Sequence, residues 1–384
     1  MVKSITVLAL IFSFSLNSFS QKKVEKFTHN EKIILQSKIL DEDRTILVSL
    51  PTDYENSDKK FPVLYVLDGR NHFLQATGAT DYLARQRLAP QIIVVAVTNI
   101  DRNHDFTPMQ SKRMPTSGGG EKFHRFIEKE LMPHIEKTYR ASKYNILMGH
   151  SLGGMFAAYS LLEFPGVFDS YIAVSPYLQL DDNYINKLAE TNLKSEYKEV
   201  PSFYMTIGNE PDYFKTLDEF SSLIKEKSDK AIKFKYVEMQ GDNHTTTPYM
   251  SLFNGLCYTF SDWVLSKEII AKGLPAIDEH YKQVSKKFNI KLSTPENIIN
   301  ILGYRHLQAE EINKAIPIFK ENVKRFPNSA NVYDSLGEAY EKNNQLNLAK
   351  KNYQKAYDLG VLQLHRFTLV FKQNMDRVSE LLNK

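Results

Sequence analysis

The sequence predicts a doubly wound, mostly parallel α/β sheet followed by an all-α module of helical repeats. Short apolar runs recur between residues 60 and 240, and helix-length segments separate them. Runs of this kind suit strands covered on both faces. Past about residue 270 only helical periodicity remains. There Leu302-Gly303 recurs as Leu336-Gly337, Ala315 as Ala349 and Phe319 as Tyr353, a repeat of 34 residues. That period belongs to stacked helix pairs, with small residues letting two helices approach and an aromatic filling the space opposite.

The chain starts with a targeting pattern. Lys3 supplies a positive charge, Ile5 to Leu16 is mostly apolar, and Ser18-Phe19-Ser20 places small residues where a signal peptidase reads. Residues 1–20 are expected to be an export signal, so the mature chain would be periplasmic or secreted. Residues 21–270 are expected to form the α/β domain and 271–384 the helical one. No second apolar run reaches membrane-spanning length, so no span is expected after cleavage.

Lys32–Ile39 and Arg44–Leu50 read as an edge hairpin. Pro51 and the polar stretch after it break the pattern. Pro62–Leu67 and Gln91–Val97 read as buried strands. Gly120–Tyr139 carries Phe123, Phe126, Ile127, Leu131 and Ile135 at helical spacing. Tyr144–Met148 then leads through a glycine-rich turn into helix Met155–Leu162. Strand Ser170–Val174 precedes a polar insertion that runs to Glu199. Strand Ser202–Ile207, helix Lys215–Lys227 and strand Lys233–Met239 follow, then a loop with His244 and a helix near Tyr249–Leu265. Helix Pro275–Phe288 is expected before the repeats and Phe367–Leu382 after them.

Composition narrows the function. The formal net charge is +4 without a basic patch, which argues against a nucleic-acid partner. The single Cys257 excludes an intramolecular disulfide and a cysteine-based metal site. No phosphate-loop, zinc or EF-hand pattern occurs, and no cofactor is expected.

The chemistry centres on Gly149-x-Ser151-x-Gly153. A strand that turns sharply into a helix pushes the serine into a strained backbone region, and flanking glycines relieve the crowding. This nucleophile elbow marks the α/β-hydrolase fold. The Leu152 N–H then faces the oxyanion, and the loop Asp68-Gly69-Arg70 is expected to give the second donor, from Arg70. A serine hydroxyl needs a base, and in this fold the order along the chain is Ser, acid, His. His244 alone lies in a loop after the last strand. The acid is expected after strand Ser202–Ile207: Glu210 first, then Asp212, then Asp218, or no acid at all. His150, next to the nucleophile, is expected to point away as a structural residue. Arg102 reads either as a substrate-binding residue or as the ion-pair partner of Asp105. Lys112 and Arg113 read as solvated.

Val63–Gly69, Arg102–Pro108, Ser117–Gly120 with Phe123, Gly149–Gly154 and Ser175-Pro176 together resemble a family of α/β-hydrolase esterases. It includes enterobactin-type siderophore esterases, feruloyl and acetyl-xylan esterases, S-formylglutathione hydrolase and mycolyltransferases. The resemblance covers about residues 28–265. It implies Ser151 as nucleophile and His244 as base, and leaves the acid open. The later repeats resemble tetratricopeptide modules, which implies a protein partner. The expected activity is therefore hydrolysis of siderophore or polysaccharide side-chain esters through an acyl-enzyme, on a small-molecule or glycan substrate. Acyl transfer by the same residues, or a silent binding protein acting through its repeats, are the rival readings.

Overall fold

A computed structural model describes residues 30–383. The expected export signal, residues 1–20, lies outside the described residues. The chain opens with β1 (Asn30–Ser37) and β2 (Glu42–Ser49), an antiparallel edge hairpin. Then follow β3 (Phe61–Val66), α1 (Gly69–Arg85), β4 (Ile93–Val97) and the short α2 (Arg102–Phe106). The predicted helix at 120–139 forms as α3 (Gly120–Phe126), a wider π turn (Ile127–Leu131) and α4 (Met132–Thr138). Pro133 cannot donate to the carbonyl four residues back, which favours the wider turn. The turn is also anchored: Glu130 accepts from Ser37 Oγ at 2.5 Å and from the Lys38 N–H at 3.0 Å.

The rest of the sheet domain runs β5 (Ala141–His150), α5 (Leu152–Glu163), β6 (Ser170–Val174), α6 (Leu180–Asn192), β7 (Ser202–Ile207), α7 (Pro211–Ser228), β8 (Lys233–Glu238) and α8 (Thr247–Thr259). The strand order is β1-β2-β4-β3-β5-β6-β7-β8. From β4 through β8 neighbouring strands are parallel, and β2 meets β4 antiparallel. Alternate residues feed two cores. Val63, Tyr65 and Leu147 enter one, while Leu64, Val66 and Met148 enter the other with Phe73 of α1 and Leu252 and Leu256 of α8. Strands β3, β4, β6 and β7 are buried along their full length, as a sheet covered on both faces requires.

Besides the short helices α2 and Lys267–Ala271, two longer ones lie where the sequence pattern is silent. Helix α1 carries Thr77, Gly78 and Thr80, weak helix formers, and packs through Phe73, Ala76, Ala79 and Leu83. Helix α6 sits inside the predicted polar insertion and starts with Asp181, Asp182 and Asn183 in left-handed backbone.

After α8 the described chain is helical: α9 (Lys267–Ala271), α10 (Leu274–Lys287), α11 (Glu296–Gln308), α12 (Ile312–Arg325), α13 (Ala330–Lys342), α14 (Leu346–Leu362) and α15 (Thr368–Leu382). Val284 of α10, with Phe288 and Ile290 after it, enters the second core of the sheet. The 34-residue repeat has a direct physical basis. A Cβ on Gly303 of α11 would lie 2.5 Å from the Phe319 ring of α12, and one on Gly337 of α13 would lie 2.8 Å from the Tyr353 ring of α14. No helix among the described residues is long and apolar enough to cross a membrane.

Candidate active site

The strand order itself builds the site. From β3 the chain crosses to β4 on one side and then to β5 on the other, so the path reverses between β3 and β5. Loops leaving the carboxyl ends of such a pair diverge and leave a crevice. The Leu67 N–H donates to the Met148 carbonyl at 2.9 Å, which sets the Asp68–Arg70 loop beside the elbow.

Ser151 stands at that point with φ 59 and ψ −116, a strained conformation for a residue with a side chain. Its hydroxyl makes no cap to α5, so the serine is not there as a helix cap. Its backbone is pinned: the N–H donates to Val174 at 2.9 Å and the carbonyl accepts from Tyr177 at 3.1 Å. The two glycines of the motif differ in role. A Cβ on Gly149 would sit 2.1 Å from the Gly153 carbonyl oxygen, whereas one on Gly153 would meet ordinary contacts at 3.5 Å. Crowding therefore requires glycine at 149 alone.

His244 lies in the loop between β8 and α8, and Glu210 lies between β7 and α7. The Asn209 N–H ties the two loops together by donating to the Asp242 carbonyl at 2.7 Å. Glu210 Oε2 is hydrogen-bonded to His244 Nδ1. Its other oxygen, Oε1, accepts from the Ser175 hydroxyl at 2.7 Å and from the Gly208 N–H at 3.2 Å. The carboxylate is buried, 9% exposed, and stands at the positive end of α7, so its charge is supported from several sides. Asp212, the alternative acid, is exposed in the first turn of α7, and Asp218 lies within that helix.

The predicted oxyanion donors fall at two helix starts. Leu152 opens α5 and Arg70 is the second residue of α1, and N–H groups in a first turn lack acceptors within their own helix. Asp68 makes the bend before α1 in left-handed backbone, φ 51. Its carboxylate takes Asn99 Nδ2 at 2.5 Å and both Arg102 Nε and Nη2 at 3.0 Å. Arg102 also donates to the His150 carbonyl at 3.4 Å. Of the two readings of Arg102, the pair with Asp105 does not form. Asp105 is buried against Arg44 of β2, at 2.6 and 2.8 Å. Arg102 instead joins the loop before α1 to the elbow, so its bidentate face is turned to Asp68.

His150 does not point away from the site. Its ring centroid lies 4.5 Å from that of His244 and 5.7 Å from that of His72. Burial, then the neighbouring His244 and His72, push its pKa down to about 3, so it stays neutral. Tyr213 flanks His244 on another side at 5.8 Å, with Tyr177 behind it at 5.8 Å. No described group of three or more His, Cys, Asp or Glu could hold a metal ion.

Comparison with known proteins agrees with this architecture. A family model described as "Putative esterase" matches residues 37–254, from the last residue of β1 into α8. Ferri-bacillibactin esterase BesA of Bacillus subtilis is 28% identical over 212 residues, 48% of this chain and 73% of that protein. The siderophore triacetylfusarinine C esterase of Aspergillus fumigatus is 25% identical over 259 residues, 57% of this chain and 89% of that protein. The crystal structure of an uncharacterised protein from Capnocytophaga ochracea superposes with a TM-score of 0.68 at 16% identity, over 91% of this chain and 99% of that one. Its fold likeness therefore extends into the helical region. The family match takes in the elbow, the Asp68–Arg70 loop and the Glu210–His244 pair, and the chain belongs to this esterase family.

Proposed function

We propose that the protein is an exported serine esterase that cleaves carboxylic esters of the siderophore type. The carrying observation is the Glu210–His244 hydrogen bond beside a strained Ser151. With Nδ1 engaged by the carboxylate, Nε2 is the ring nitrogen left to serve the serine. Ser151 Oγ attacks the ester carbonyl and His244 Nε2 takes its proton. The oxyanion is held by the N–H groups of Leu152 and Arg70. His244 returns the proton to the leaving alkoxide and the acyl-enzyme forms. Water then attacks, losing its proton to His244, and the acid departs as Ser151 is reprotonated. Glu210 accepts from Nδ1 and stabilises the imidazolium.

The two siderophore esterases among the relatives favour a siderophore ester over a polysaccharide side chain. Tyr177 and Tyr213 offer aromatic surface beside His244 to a catechol-like group. Export rests on the pattern of residues 1–20. A fluorophosphonate probe should label the wild-type protein on Ser151, and Ser151→Ala should lose both labelling and roughly 10⁴-fold or more of the turnover of a catecholate triester. Turnover that survives in a folded Ser151→Ala protein would remove this mechanism.

A further inference from the structure

A second cavity lies at the end of the sheet away from Ser151. Phe61 opens β3 and Gln91 leads into β4, so the cavity meets the amino ends of strands whose carboxyl ends carry the catalytic loops. A six-residue strand separates the two ends by roughly 20 Å. The start of α11, from Pro295 to Ile298, and Phe326 after α12 close the other side. Its volume is about 930 Å³, within the range of small-molecule sites, and it opens to solvent.

The chemistry of its walls is divided. Trp263, Tyr281, Ile290, Leu292 and Phe326 form an apolar and aromatic body. Lys59, Lys60, Arg87 and Lys291 line the rim, exposed, and none of them has an ion-pair partner among the described residues. The cavity has two carboxylates against these four cations, so its formal charge stays positive, and each carboxylate accepts from a neutral side-chain amide. Asp53 accepts from Gln91 Nε2 at 2.8 Å and Glu296 from Asn331 Nδ2 at 3.1 Å. Arg87 is also held in left-handed backbone, φ 61, just past α1, where glycine is the low-strain choice. Burial pushes the Tyr281 phenol up, and the charge of Arg87 is what opposes that shift. Unpaired cations around an aromatic pocket complement an anion with an apolar body.

We propose that this cavity, between the amino edge of the sheet and the first helix pair, is a second binding site for a small amphipathic organic anion: an aromatic or alkyl body carrying a carboxylate or sulfonate. The site is separate from the ester-cleaving centre and does not depend on its chemistry.

Trp263 is the only tryptophan in the chain, so its emission reports on this cavity. The full protein would be titrated with 1-anilinonaphthalene-8-sulfonate while Trp263 emission is followed. Saturable quenching with a single-site curve is expected. The neutral N-phenyl-1-naphthylamine should bind about tenfold more weakly, as should the sulfonate to an Arg87→Glu/Lys291→Glu protein of unchanged circular dichroism. If that variant does not fold, Lys59→Gln/Lys60→Gln/Lys291→Gln takes its place, with weakening again expected. Ser151→Ala should bind as the wild type does. An unquenched Trp263, equal binding of the neutral probe, or equal binding by a folded charge variant would each overturn the proposal.

Discussion

Gly149 of the sheet and Gly337 of the helical array both leave no room for a Cβ, but different atoms exclude it. At Gly149 the obstacle is the carbonyl of Gly153, part of the backbone turn that holds Ser151. At Gly337 it is the ring of Tyr353, a side chain with rotamers of its own. A backbone obstacle cannot move without moving the elbow, whereas a side-chain obstacle can be replaced. The elbow is thus constrained by main-chain geometry, and the helical half by packing that a second substitution can restore.

The largest test of this contrast is Gly149→Ala. It should cost roughly 10³-fold or more in kcat, or prevent folding, and no single partner change should rescue it. Turnover assays on the variant, alone and with Gly153→Ala, would show this. Next comes Glu210→Gln, which keeps the shape of the acid and removes its charge. A loss of about 10³ to 10⁴ in kcat with little change in KM is expected, while Ser175→Ala, which removes one donor to that acid, should cost only about tenfold.

In the helical half, Gly337→Ala should lower stability by about 1–3 kcal/mol in urea unfolding. Adding Tyr353→Leu should recover part of that, with turnover per folded molecule unchanged. Failure of the double variant to recover would mean the two halves are constrained alike.

The last test is a titration. His124 is fully buried in the sheet core, bonded to Ser160 Oγ at 3.0 Å and stacked on Phe164. Burial pushes its pKa down to about 3, below the ordinary 6.5. The unfolded chain therefore takes the proton first. Its contribution to stability is intact above pH 6.5 and falls as pH drops toward 3, by about 1.4 kcal/mol per unit. Asp169, raised to about 6 by burial, acts in the opposite sense over part of that window. Comparing denaturant midpoints of the wild type and His124→Phe between pH 7 and 5 isolates the histidine.

Much of this was legible in the sequence because it depends on local pattern. The buried strands announced themselves as apolar runs, with β6 and β7 at their predicted bounds, and the helix pairs showed as a period. Glu210 and His244 can be proposed as partners because chain order after an elbow is restricted, and the structure joins them by a hydrogen bond. What the sequence hid depends on contacts between distant segments. Helix α1 has poor local propensity and is formed by its packing on β2, β3, β4 and α8. Helix α6 begins with three left-handed residues that read as loop. The partners of Arg102 and Asp105 are 34 and 61 residues away, and nothing local distinguishes Asp68 from Asp105 as a partner for Arg102. His150 reads as structural because neighbouring side chains usually diverge, yet its ring packs against that of His244. Ser175 could be read only as part of a motif, and its bond to Glu210 supplies the reason.

The helical pairs also have a consequence for how such a chain can change over generations. In a stacked array each pair touches only its neighbours. The cavity at the sheet edge uses residues from the first pair alone, Pro295–Ile298 and Phe326. Duplication of a 34-residue unit beyond α14 would lengthen the exposed flank of the molecule while leaving the loops around Ser151 and the cavity as they are. The sheet has no equivalent seam, because its loops bond to one another across the crevice. Growth and specialisation in this lineage can therefore proceed at one end of the chain while the chemistry at the other stays fixed.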